Sequence, residues 1–179
     1  MTRPRGGAPL FLCFDTSGPR LAASVFEDAV LLQVEFIEMK RGQAEAIVPL
    51  LDALLEKASV AYADLTAIGV GVGPGNFTGI RISVALARGL ALSLRVPALA
   101  ITSFDLMRDP SGPAAEPALL LSVPAPREQA YVQFQRYGIA AEPPELIDPR
   151  DPPSHLERIN MQVRGAYADE IASRWCAPF

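Results

Sequence analysis

The sequence predicts an α/β chain built on a mixed β-sheet, and two stretches of pattern carry that prediction. The first is three consecutive β-type runs, Leu10 to Asp15, Leu21 to Glu27 and Val30 to Glu38, separated only by short turns. Strands joined this closely form an antiparallel meander. The second is an alternation of helical and strand segments from Gln43 to Ile101, and strands joined through helices need crossover connections.

Each element has its own signal. Leu10 to Asp15 is a short apolar run ending at Asp15, and Thr16-Ser17-Gly18-Pro19 has turn composition. The turn between the second and third strands falls at Glu27-Asp28. In Gln43 to Lys57, Ile47, Leu51, Leu54 and Leu55 follow helical spacing. Pro49 lies inside that helix and is expected to kink it or trim its first turns. A strand at 66–72 leads into Gly73-Pro74-Gly75-Asn76-Phe77-Thr78-Gly79-Ile80-Arg81 and a long helix ending near Arg95, then a short strand from Ala98 to Ile101. Thr102-Ser103 suits a helix cap.

The character then changes. Eleven of the 17 prolines fall between Pro110 and Pro178. Two strands are predicted there, Ala118 to Val123 and Gln129 to Tyr137. The stretch from Glu142 to Pro153 is expected to be irregular, and His155 to Trp175 to hold one or two short helices. This half reads as too short and broken to bury a large core by itself. Residues 1–9 read as a flexible arm.

With 179 residues, 50% hydrophobic and 20% charged, the chain has an ordinary globular composition. A net charge of −4 argues against a stand-alone nucleic-acid binder. Cys13 and Cys176 form no Cys-x-x-Cys pair, and Cys13 reads as a buried free thiol. No signal-type segment or uncharged span long enough for a bilayer is evident, so the cytoplasm is the expected location, with no membrane partner.

The segment after the fourth strand invites a phosphate-loop reading, but that loop needs a Lys after its last Gly. Here Ile80 follows Gly79. The helix is more telling. Gly79, Ser83, Ala87 and Ala91 recur every four residues, a small-residue stripe predicted to admit another backbone. Arg81, Arg88 and Arg95 recur every seven, roughly on one side. Nearly everything else is apolar, Val84 included, and a helix apolar almost all round must be covered on most sides. The loop-helix is therefore predicted to be a docking surface in which Arg81 makes directed contacts. The bland alternative makes the three arginines a solvated face.

Catalytic chemistry finds little support. Asp15-Thr16-Ser17 sits where actin-like and sugar-kinase-like ATPases place an Asp, though a strand-capping turn explains it equally. The matching place after Leu119 to Val123 holds Pro124, so no second carboxylate stands there. His155 is the single histidine, so no His-based metal pair can form. No serine nucleophile has its motif. Arg127 and Glu128 read as a surface ion pair.

Phe14-Asp15-Thr16-Ser17, the 73–81 motif and Ala85-Leu86-Ala87-Arg88-Gly89-Leu90-Ala91 together resemble the bacterial TsaB (YeaZ) family, over about Leu10 to Met107. The resemblance implies an ASKHA fold, actin-like or ribonuclease H-like, with two lobes: an N-terminal lobe at 10–103 and a reduced, Pro-rich second lobe at 104–179. It also implies a non-catalytic subunit in forming N6-threonylcarbamoyladenosine at position 37 of tRNA. The implied partners are a TsaD-like catalytic subunit and a TsaE-like ATPase, with self-association through the same helix and tRNA contacted only indirectly. The implied partner surface is Phe77, Thr78, Gly79, Arg81, Ser83, Val84, Ala87, Arg88 and Ala91, with Gly73, Pro74, Gly75 and Asn76 as its loop. Asp15, Thr16 and Ser17 become a vestigial nucleotide site. No metal or resident cofactor is implied, with ATP or ADP reserved for an interface shared with the partner. The chain departs from the family pattern at Asn76, where Ser is usual, at Gln43, and at Pro124, which stands in an Asp place. Two further readings compete: an ATP-binding or glycoprotease-type hydrolase resting on Asp15, and a homodimeric regulatory protein.

Overall fold

The computed structural model describes residues 7–107, 118–136, 139–151 and 162–175. His155, Cys176, most of the N-terminal arm and part of the proline-rich stretch lie outside them. The chain divides into two compact units, Met1–Thr102 and Ser103–Phe179.

The first unit is a five-stranded sheet in the order β3-β2-β1-β4-β5, formed by β1 (Leu10–Asp15), β2 (Arg20–Glu27), β3 (Val30–Glu38), β4 (Ala67–Gly71) and β5 (Ala98–Ile101). The first three strands pair antiparallel, whereas β1/β4 and β4/β5 are parallel. This is the predicted mixed sheet. Strand periodicity sets which face is buried: Leu10, Leu12 and Phe14 of β1 and Leu21, Ala23 and Val25 of β2 alternate inward. Helix α1 (Gln43–Ala58) covers that face with Ile47, Leu51, Leu54 and Leu55, the four residues its spacing singled out. Helix α2 (Phe77–Leu94) packs chiefly on β4.

Pro49 does not trim α1, which runs unbroken through it from Gln43. A proline removes one backbone donor, and burial of four large side chains on the same helix outweighs that loss.

The second unit overturns two expectations. It has its own sheet, β10-β6-β7-β8 with β9 paired to β7, formed by β6 (Leu119–Pro124), β7 (Ala130–Arg136), β8 (Ile139–Ala140), β9 (Glu145–Ile147) and β10 (Gln162–Gly165). The stretch expected to be irregular thus contributes β9, and the stretch expected to hold short helices contributes β10, parallel to β6, besides a helix. The sheet is apolar on both faces. Phe104 of α3 (Ser103–Met107) packs with Leu119 and Leu121, while Ile171 of α4 (Ala168–Trp175) packs with Leu120, Val132 and Ile147. A short segment buries a core when both faces of one sheet are covered.

Arg127 and Glu128 do not pair with each other as expected. Both adopt left-handed backbone conformations (φ 61 and 60) in the β6–β7 turn, and Glu128 instead meets Arg150 at 2.6 Å.

Candidate functional site

The loop between β4 and α2 lies directly on the β1–β2 turn. Asn76 N–H donates to the Ser17 carbonyl at 2.6 Å, and the Thr16 hydroxyl donates to the Gly79 carbonyl at 2.6 Å. The glycines follow from this approach. A Cβ on Gly75 would collide with the Ser17 carbonyl oxygen, and one on Gly79 with the Thr16 carbonyl oxygen. Gly73 adopts φ +82, and Pro74 follows it through a cis peptide. The motif is thus a seam where two backbones touch, which only residues without side chains allow.

Asn76 is the N-cap of α2. Its side-chain oxygen accepts from the backbone N–H groups of Thr78 (2.9 Å) and Gly79 (3.2 Å), satisfying donors that the first helical turn leaves free. Asn serves this role as well as Ser, so the departure at this position preserves the cap.

Gln43 holds the other side of the turn, and sequence reasoning did not assign it this role. It is buried, and its amide donates to the carbonyls of Arg20 (2.9 Å) and Gly18 (3.0 Å). A polar residue on the apolar side of a helix start was the signal available for it.

Asp15 is committed to local structure. One carboxylate oxygen accepts from the Ser17 N–H at 2.6 Å and the other from the Ser17 hydroxyl at 2.9 Å. This is the Asx-type turn. Gly71 packs so closely that a Cβ there would strike the Asp15 carboxyl. Pro124 ends β6 exposed. Among the described residues no cluster of three His, Cys, Asp or Glu forms a metal site.

The small-residue stripe needs correction. Gly79, Ser83 and Ala87 are the three buried residues of α2; Gly79 and Ser83 lie against the chain's own backbone, and Ala87 is buried in the core. The Ser83 hydroxyl donates to the Ile80 carbonyl at 3.1 Å, with the Gly71 carbonyl 3.3 Å away. These three are already covered within the chain, Gly79 by the β1–β2 turn, Ser83 by β4 and Ala87 by the core, so the stripe is spent on the protein itself. Ala91 is only half-buried.

The opposite face of α2 is open. Phe77, Arg81, Val84 and Arg88 recur at spacings of four, three and four, so they share one side. Phe77 is 72% exposed and Leu92, the next residue along this side, 82% exposed. Arg81 and Arg88 are exposed, and Val84 is half-buried. The Arg81 guanidinium lies 5.1 Å from the Phe77 ring centroid, a cation–π contact that presents both groups together. Thr78 is exposed at the same end. By length and composition alone α2 could cross a membrane; here it carries two arginines and packs along a sheet.

Cys13 is a free, half-buried thiol, and burial raises its pKa above the ordinary value.

The mixed 3-2-1-4-5 sheet, with a glycine seam joining the first hairpin to the helix after β4, defines a protein of the ASKHA class, the actin-like or ribonuclease H-like fold. Residues 37–143 match the family model described as TsaD: tRNA N6-adenosine threonylcarbamoyltransferase. The chain belongs to that family, and its relatives place it on the TsaB (YeaZ) branch.

One relative is the tRNA threonylcarbamoyladenosine biosynthesis protein TsaB of Buchnera aphidicola subsp. Schizaphis graminum, 31% identical over 98 residues, covering 55% of this chain and 46% of that protein. The protein of the same name from Bacillus subtilis is 32% identical over 96 residues, covering 54% and 42%. The solved structure of YeaZ from Pseudomonas aeruginosa aligns with a TM-score of 0.64 at 26% identity, covering 79% of this chain and 68% of that one. The matched segments span less than half the length of these curated relatives.

Proposed function

We propose that this chain is a non-catalytic subunit in the formation of N6-threonylcarbamoyladenosine at position 37 of tRNA. It acts in the cytoplasm by docking the outward face of α2 onto a TsaD-like catalytic subunit, with a TsaE-like ATPase joining the assembly. The observation that carries this reading is the pairing of a committed Asp15 with an unspent α2. The Asp15 carboxylate is engaged by its own turn, while exposed Phe77, Arg81, Arg88 and Leu92, with half-buried Val84 among them, form an apolar and cationic stripe. Aromatic and arginine side chains are what interface centres favour. The relatives' names, as biosynthesis proteins for threonylcarbamoyladenosine, supply the pathway.

In this reading metal and transfer chemistry belong to the catalytic subunit, and ATP or ADP binds at most at the shared interface. tRNA is reached through the partner. The hydrolase alternative rests on Asp15 alone, and both oxygens of that carboxylate already accept hydrogen bonds from Ser17.

The test mixes the full chain with a TsaD-like protein from the same cell and measures complex formation by light scattering. Phe77→Glu and Arg88→Glu are expected to abolish the complex and the tRNA modification that depends on it. A complex unaffected by both substitutions, or modification unaffected by deletion of the chain, would sink the proposal.

A further inference from the structure

The outward face of α2 is cationic as well as apolar, and nothing among the described residues answers its charge. Arg81 and Arg88 are exposed, and neither forms an ion pair there. α2 contains no Asp or Glu at any position. The chain as a whole carries a net charge of −4, so this is a positive stripe on a negative protein.

Geometry makes the two charges reachable. At 1.5 Å per residue, Arg81 and Arg88 stand roughly 10 Å apart along one side of the helix. Ala85, between them, is small and exposed. Gly89, beside Arg88, is exposed too, with nothing within 4 Å of an added Cβ. The ring of Phe77 lies 5.1 Å from the Arg81 guanidinium and holds it at the surface.

We infer that α2 selects an acidic partner: an amphipathic helix that carries two carboxylates about two turns apart beside an apolar strip. Each carboxylate takes the planar fork of one arginine, while Phe77 and Leu92 meet the apolar strip. The inference rests on the docking reading of α2 and adds the chemistry of the surface that docks.

The same charges turn away a second copy of this chain. An antiparallel crossing of two α2 helices near Ala85 brings Arg81 of one beside Arg88 of the other. A parallel crossing brings each arginine beside its own counterpart. α2 supplies no carboxylate to either arrangement, and like charges set together disfavour that pairing.

Titration of the full chain with a TsaD-like protein from the same cell, at two salt concentrations, tests it. Affinity should fall at least about tenfold between about 50 and about 500 mM NaCl, because salt screens exposed charges. Arg81→Gln combined with Arg88→Gln, at exposed positions where the thermal melt should not change, is expected to weaken binding at least about tenfold at low salt and to cut the salt effect to about threefold or less. Arg88→Lys keeps the charge and supplies an amine that a carbodiimide can join to a carboxylate. A cross-link from position 88 to an Asp or Glu of the partner is expected by mass spectrometry. In sedimentation equilibrium the chain alone should stay monomeric at roughly 100 µM. Arg81→Glu, which sets a carboxylate against Arg88 of a second copy, should self-associate.

A complex of equal affinity at both salt concentrations and in the double variant overturns the inference and leaves the docking reading standing. Absence of any complex overturns both. A wild-type dimer that Phe77→Glu dissolves overturns the selection against a second copy.

Discussion

Thr16 and Gly79 are locked together across 63 residues of sequence. The Thr16 hydroxyl donates to the Gly79 carbonyl at 2.6 Å, and the Thr16 carbonyl lies where a side chain on residue 79 would begin. Both residues are buried. The contact joins the β1–β2 hairpin to the first turn of α2, and so fixes how that helix sits on the sheet.

Gly79→Ala should therefore be costly. The new methyl meets backbone, which cannot move aside as a flexible side chain can, and a loss of about 3 kcal/mol or more is expected. Gly89, in the same helix, has nothing within 4 Å of an added Cβ. Gly89→Ala should instead stabilise by about 0.5–1 kcal/mol through helix propensity. Urea unfolding of the two variants checks the contrast in sign.

Asn76→Ala removes the acceptor for two backbone donors and should cost about 1 kcal/mol. Asn76→Ser should retain most of that stability, since serine caps comparably. Equal losses in the two variants would contradict the capping role.

Gln43→Ala leaves the carbonyls of Gly18 and Arg20 without their donor. A cost of about 1–3 kcal/mol is expected. Because Gln43 braces the turn that seats α2, the variant should also bind a TsaD-like partner more weakly at temperatures where it remains folded, measurable by titration calorimetry.

Stability should fall at alkaline pH. Burial raises the Cys13 thiol; burial, then the hydrogen bond to Asp52, raises the Tyr62 phenol. Each folded pKa lies above its unfolded value, so the folded state holds the proton longer. The contribution is complete below the ordinary thiol pKa of about 8.5 and phenol pKa of about 10, and is lost as pH rises through the folded values. Denaturant unfolding between neutral pH and pH 10 should show the decline, reduced in Cys13→Ala. Alkylation of Cys13 at neutral pH should be slow until the protein unfolds.

Much of the first unit was legible because its signals are local. Short β-type runs between turn residues placed β1 to β5 to within a residue or two, and 3.6-residue spacing placed α1 and its four buried apolar side chains. β9 and β10 were not legible. Glu145–Ile147 and Gln162–Gly165 are too short and polar to show a period, and they are strands because β7 and β6 offer them free edges.

The clearest division falls within α2. The sequence alone determined that Gly79, Ser83, Ala87 and Ala91 recur every four residues and that Arg81, Arg88 and Arg95 recur every seven, since both follow from helical spacing. Only the tertiary structure decided which side the molecule keeps for itself. Small residues admit a close backbone, and periodicity does not say whose; the β1–β2 turn arrives first because Thr16, Ser17 and Gln43 hold it there. That leaves the aromatic and arginine side outward, while both oxygens of the Asp15 carboxylate brace the β1–β2 turn through Ser17.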